Sequence, residues 1–178
     1  MNDRLGKLLA HWRARAALTH VKGRLLDIGC GFNYLVKDYY GSGIGVDITS
    51  WPRVDLVVQN CAKLPWPDQS FDTISILAAL NHMPNREEVL CECNRLLSPQ
   101  GLLVVTMLPP RISEIWHQLR SPWDDDQSGR LRQEGEVWGL SDQDVRSLIR
   151  QAGFNVVSEK RFMLGVNRLT LAVKWSSY

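Results

Sequence analysis

The stretch Leu25-Leu26-Asp27-Ile28-Gly29-Cys30-Gly31-Phe32-Asn33 is an apolar run that ends in an acid and two glycines one residue apart. This pattern predicts a buried strand breaking into a tight turn and then a helix. Glycines at 29 and 31 remove the β-carbons that would keep a ligand off the backbone. The helix that follows presents unpaired N–H groups at its positive end. The turn is therefore expected to receive an anionic group.

Ile44-Gly45-Val46-Asp47 repeats the theme as a second short apolar strand ending in a carboxylate, twenty residues beyond Asp27. Nucleotide-binding α/β units place a ribose-binding acid at about that separation. The dinucleotide fingerprint G-x-G-x-x-G would need glycine at 34, where Tyr34 stands, so a pyrophosphate cofactor is poorly supported. Asn33 fills the third place of the looser G-x-G-x-G pattern; Asn tolerates left-handed backbone angles and is a good helix N-cap.

Taken together, Asp27-Ile28-Gly29-Cys30-Gly31 and Asp47 resemble the first two motifs of class I S-adenosylmethionine-dependent methyltransferases. Further downstream, Asn60-Cys61-Ala62 through Phe71-Asp72 looks like that family's adenine loop and fourth strand. Leu80-Asn81-His82-Met83-Pro84 and Leu96-Leu97-Ser98-Pro99-Gln100-Gly101 look like its next two motifs. The similarity runs from about Arg24 to Met107 and is strongest to small-molecule enzymes of the ubiquinone and menaquinone biosynthesis type.

The resemblance implies a Rossmann-like three-layer α/β sandwich on a mostly parallel seven-stranded sheet, with one antiparallel strand near the C-terminus. It implies S-adenosylmethionine as cofactor. Asp27, Gly29, Cys30 and Gly31 would form the wall at its carboxylate end, Asp47 and Ile48 would meet the ribose, and Asn60, Cys61 and Ala62 the adenine. The Leu77 backbone would lie beside the methionine part. Cys61 departs from the family, where many members carry Asp to accept a hydrogen bond from the adenine amine; a thiol accepts weakly. Either Asn60 or backbone would then supply that contact, or Cys61 is a small buried apolar residue. Asp27 also has a simpler reading, as an acid that holds the glycine turn through backbone N–H groups. Asp47, likewise, would serve as a plain turn residue before Ser50-Trp51-Pro52.

Composition sets outer bounds. The chain has 178 residues, 44% hydrophobic and 22% charged, with no low-complexity tract or internal repeat, enough for one compact domain with a full core. A net charge of +2 lacks the concentrated basic balance of a dedicated nucleic-acid binder. Cys30, Cys61, Cys91 and Cys93 show neither C-x-x-C spacing nor the density of a secreted scaffold. No metal site and no disulfide framework is expected, and the usage suggests a reducing cytoplasm. The apolar runs are strand-sized, so neither a spanning helix nor a signal peptide is expected.

Leu5, Leu8, Leu9, Trp12 and Ala16 recur at helical spacing, with Arg4, Lys7, Arg13 and Arg15 elsewhere around the turn. One face of this helix is expected to pack on the sheet, with contact to an anionic membrane as the minor alternative. A third strand is expected over Val54–Val58, a fourth over Asp72–Ala79, a helix over Arg86–Leu97 stopped by Ser98-Pro99-Gln100-Gly101, and a fifth strand over Leu102–Met107. Ser141 caps a last helix running to Ala152 before Gly153, and strands follow at Phe154–Phe162 and Arg168–Lys174.

His82 stands just past the fourth strand, where an imidazole can take a proton from a hydroxyl or amine at neutral pH; the competing reading is a histidine that only shapes the pocket. No Asn-Pro-Pro-aromatic sequence follows that strand, so amino-methylation of DNA bases loses support. Residues 109–140 are expected as an insertion covering the site. Trp116, Trp123 and Trp138 within it suggest an apolar or ring-shaped substrate, or aromatic shielding of a sulfonium. Arg130 and Arg132 offer trypsin sites beside its acidic run. The implied activity is methyl transfer to a small molecule, a quinone precursor, lipid, sugar or other metabolite; a non-catalytic cofactor-binding module of the same fold is the alternative.

Overall fold

The computed structural model describes residues 4–120 and 134–175. Trp123, Arg130, Arg132 and the acidic run at 124–126 lie outside the described residues, as does the side chain of Trp116. Seven strands form one sheet: β1 Leu25–Ile28, β2 Gly43–Asp47, β3 Leu56–Val57, β4 Phe71–Leu77, β5 Leu97–Met107, β6 Phe154–Phe162 and β7 Asn167–Lys174. Their order is β3-β2-β1-β4-β5-β7-β6. All pairs from β3 through β5 are parallel, and β7 runs antiparallel to both of its neighbours. The expected single antiparallel strand is therefore β7.

Alternation along the strands feeds two cores, because successive side chains leave opposite faces. Leu25 and Val104 join a cluster with Ala14, Ala17, Leu35 and Val36, beneath helices α1 (Arg4–Leu18) and α2 (Tyr34–Asp38). Leu26, Ile28, Leu103 and Val105 join Val89, Leu90, Cys93, Val145 and Ile149 on the other face, beneath α3 (Arg86–Leu96) and the last helix. Numbering in chain order makes Pro110–Arg120 α4 and Asp142–Gln151 α5. Ser141 closes a capping box with Asp144, and Gly153 leaves α5 with φ +83°, as their residue types predict.

Three elements differ from the sequence reading. The third strand shrinks to two residues. The fifth starts directly at Leu97, its register jumping from Phe71↔Leu97 to Thr73↔Leu102, so Ser98–Gly101 forms a bulge rather than a helix stop. In α1 the expected face is turned outward: Leu5, Leu8 and Trp12 are 50%, 59% and 53% exposed, while Ala14 and Ala17 are buried. Small side chains let this helix lie close to the sheet. Arg13 Nε fixes its rotation by donating to Asn167 Oδ1 at 3.2 Å.

Asn33 is left-handed, as its residue type allows, with φ +57°, but makes no cap bond. Its side chain instead crosses to the far side of β2, where Nδ2 donates to Arg53 O at 2.8 Å and Asp55 Oδ2 at 2.7 Å. Asp55 also accepts from Gly45 N–H and Lys37 Nζ, both at 2.8 Å. This polar knot ties α2 and the glycine turn to β2.

Candidate functional site

A cavity of about 480 Å³ opens at the C-terminal ends of β1, β2 and β4. Open α/β sheets place ligands at that edge, where neighbouring connections leave in opposite directions; here the reversal falls between β1 and β4. The turn after β1 supplies its floor. Gly29 and Cys30 donate backbone N–H to Val46 O at 2.9 and 3.1 Å. Gly31 donates to Asp47 Oδ2 at 3.0 Å, while Thr49 N–H reaches Asp47 Oδ1 at 2.9 Å.

The two glycines do different work. At Gly29, φ is +68° and a β-carbon would lie 2.6 Å from that of Ala79. At Gly31, φ is +51°, but a β-carbon would meet nothing within 4 Å. Gly31 lines the cavity, so its missing side chain leaves room for a ligand rather than for a neighbouring element.

Asp27 is 2% exposed and takes the Ser75 hydroxyl on Oδ1 at 2.6 Å. Burial drives its pKa up to about 7 against the lowering effect of that bond, and the nearby Asp47 adds to the rise. The reading of Asp27 as the acid that holds the glycine turn is corrected: Asp47 accepts the Gly31 N–H. Asp27 faces strand β4 and shares the cavity wall with Asp47.

Beyond β3, the Asn60 side chain shapes its own loop, Oδ1 accepting Ala62 N–H at 2.8 Å and Asn85 Nδ2 at 3.0 Å. Asn60 and Cys61 line the cavity. Ala62 is not among the lining residues and packs instead against the core. Cys61 is buried, its thiol pushed up to about 12 by burial and then by Asp47. It is a poor nucleophile at neutral pH, and a thiol reagent meets exposed Cys91 first. The loop is pinned from behind by Glu92, which accepts Leu64 N–H at 2.7 Å and pairs with Arg95. Ile48 and Leu77 both line the cavity. Ala78 leaves β4 with φ +53°, its N–H donating to Thr106 O.

His82 ends a short 3₁₀ turn, Leu80–His82, on the opposite wall. Its Nδ1 lies 3.2 Å from Glu136 Oε2, whose side chain is 2% exposed. Its Nε2 lies 3.2 Å from Asn81 Nδ2, and that amide also donates to Val137 O at 3.1 Å. This network orients the amide nitrogen toward the ring, so Nδ1–H donates to Glu136 and Nε2 accepts. Val137 N–H returns a bond to Asn81 O, and Arg86 Nη2 reaches Gly135 O.

Glu136 and Ser113 were not singled out from the sequence. Glu136 stands 54 residues from its partner, a separation no local pattern reports. Trp138 lines the cavity, as its aromatic character suggested. So do Gly6, Lys7, Ala10 and Arg13 of α1, an unanticipated wall, with Lys7 Nζ 5.0 Å from the Phe32 ring centroid. Among the described residues there is no cluster of metal-ligating side chains and no helix long and apolar enough to cross a membrane.

A family profile described as a methyltransferase domain matches residues 26–105. The chain is 33% identical over 101 residues to a probable S-adenosylmethionine-dependent methyltransferase of Mycolicibacterium smegmatis, covering 50% of this chain and 39% of that one. It is 28% identical to a demethylmenaquinone methyltransferase of Tropheryma whipplei, over 93% of this chain and 81% of that one. In fold it is similar to the Burkholderia thailandensis 1,6-didemethyltoxoflavin-N1-methyltransferase solved with bound 1,6-didemethyltoxoflavin and S-adenosylhomocysteine. There the TM-score is 0.69 at 18% identity, covering 98% of this chain and 82% of that one. The chain thus spans well under half of one curated relative's length and most of another's.

Proposed function

We propose, from the match of residues 26–105 to a methyltransferase-domain profile and the likeness to a demethylmenaquinone methyltransferase, that the chain is a class I S-adenosylmethionine-dependent methyltransferase that transfers a methyl group to a small-molecule acceptor. One observation carries this reading: a single cavity gathers Asp27, Gly29, Cys30, Gly31, Asp47, Ile48, Asn60, Cys61 and Leu77 from four separate connections. These residues fit the cofactor. Gly31 leaves space on the floor, a buried carboxylate at Asp47 suits a ribose diol, and Asp27 faces the same cavity as an acceptor for a cation. When bound, S-adenosylmethionine supplies an electrophilic methyl group for in-line displacement.

This chain's own residues hold the acceptor and exclude water. His82 is the candidate base: Glu136 keeps the proton on Nδ1, and Nε2 takes the acceptor's proton once it exchanges the Asn81 amide for that group. We take the chain as one domain in which residues 109–140 cover the acceptor side, supported by Ser113 and Trp138 on the cavity wall. A quinone precursor is favoured by the likeness to a demethylmenaquinone methyltransferase; lipids and sugars remain in the class. The rival reading, a cofactor-binding module without activity, draws on the engagement of both His82 ring nitrogens. Transfer of labelled methyl from S-adenosylmethionine into fractionated small molecules separates them: label in an extractable metabolite supports the enzyme, whereas binding of S-adenosylhomocysteine by calorimetry without any label supports the module.

A further inference from the structure

Helix α1 has two working sides. Lys7, Ala10 and Arg13 border the cavity, while Leu5, Leu8 and Trp12 form an outward stripe at spacings of three and four, each about half exposed or more. The stripe continues past the helix, since Trp12 and Met163 line one surface depression. The next residue, Leu164 in the β6–β7 turn, is fully exposed. Large apolar side chains grouped in this way mark a surface that meets something else.

Charge selects the partner. Arg4, Lys7, Arg13 and Arg15 lie on α1, which carries no acidic residue. Arg4 and Arg15 bracket the stripe, both are exposed, and neither makes an ion pair among the described residues. A protein groove would need acids at matching places around an apolar slot, whereas an anionic lipid surface supplies negative charge at every azimuth with an apolar layer beneath it. From these features we infer that α1 and the β6–β7 turn dock the protein on an anionic membrane surface, lying in the interface rather than crossing it. The Arg13–Asn167 bond locks the helix to the start of β7, so both apolar elements present together. Docking in this way brings the cavity, through its α1 wall, close to the lipid; that an acceptor dissolved in the bilayer enters there rests further on the methyltransferase reading.

Co-sedimentation of the full chain with vesicles tests the surface without reference to activity. Binding is expected to vesicles containing about one third phosphatidylglycerol and to be weak with phosphatidylcholine alone, falling as salt rises. Leu8→Ser with Trp12→Ser lowers the apparent partition constant about tenfold or more. Arg4→Gln with Arg15→Gln lowers it by about tenfold on anionic vesicles only. These exposed positions leave the fold intact, which thermal unfolding verifies. Absence of wild-type binding, or equal binding by the Leu8 and Trp12 variant, overturns the inference. A concentration-dependent dimer lost in that variant, with no vesicle binding, assigns the face to a second copy and overturns it as well.

Discussion

The two walls of the cavity are built in opposite ways. The floor under Gly29 and Gly31 comes from a segment of about twenty residues, closed by backbone N–H groups that donate to the Val46 carbonyl and to the Asp47 carboxylate. The facing wall joins His82 to Glu136 and Asn81 to Val137 across more than fifty positions. The first is fixed by chain geometry, the second by side chains that find one another only in the finished fold. Substitutions in the floor are therefore expected to cost stability and binding, and those in the facing wall to cost turnover.

The sharpest way to break that contrast is at the glycines. Gly29→Ala is expected to destabilise by about 3–4 kcal/mol, from left-handed strain and the clash with Ala79. Gly31→Ala is expected to cost only about 1–2 kcal/mol of strain while weakening S-adenosylhomocysteine binding disproportionately. Denaturant unfolding and calorimetry on both variants decide this; equal stability losses would remove the distinction between the two positions.

Asp27 offers the next largest effect. Its folded pKa, about 7, lies above the ordinary 3.8. The folded state binds the extra proton, and the stability linked to it, fully present below about pH 4, is lost as pH rises through 7. That amounts to roughly 2–4 kcal/mol. Asp27→Asn should flatten this part of the pH profile of the denaturation midpoint. An unchanged slope would place the titration elsewhere.

Asp47→Ala is expected to weaken cofactor binding about tenfold or more, since the proposed charge-assisted bonds to two ribose hydroxyls would contribute roughly 1.5–3 kcal/mol. Unchanged affinity by calorimetry in a folded variant would refute the ribose assignment. The smallest effect belongs to the facing wall. Glu136→Gln should slow transfer about tenfold with cofactor affinity unchanged, and His82→Ala at least as much. Normal turnover in both would leave His82 as a shaping residue.

What the sequence revealed divides along the same line. β1, β2, the capping box of α5 and the β6–β7 pair were legible because alternation, Gly and Ser-x-x-Asp act within a few residues. Asp47 was legible as a strand-end acid. Its hold on Gly31 was not, and was expected instead of Asp27, because both acids end strands and only the packing of β4 carries Ser75 to one of them. The rotation of α1 was misjudged because helical spacing identifies a stripe of large residues but not whether they or the neighbouring alanines face the sheet. Glu136 left no trace at all.

The knot at Asp55 adds a last consequence, one of local rather than global order. A five-residue helix such as α2 cannot hold itself in water, so it is only as durable as the bonds that fasten it. Its fastener is a carboxylate: burial raises the Asp55 pKa, yet Lys37, the Gly45 amide and Asn33 together hold it below the usual range. That contribution is present at neutral pH and is lost as pH falls through the lowered value. Acid therefore loosens this corner while relieving Asp27, which pairs with Gly45 in the neighbouring strand. Protection factors of the amides in α2 and at Gly45, taken relative to the intrinsic exchange rate at each pH, should fall on acidification before those of the rest of the sheet, making the support of the glycine turn a separate opening unit.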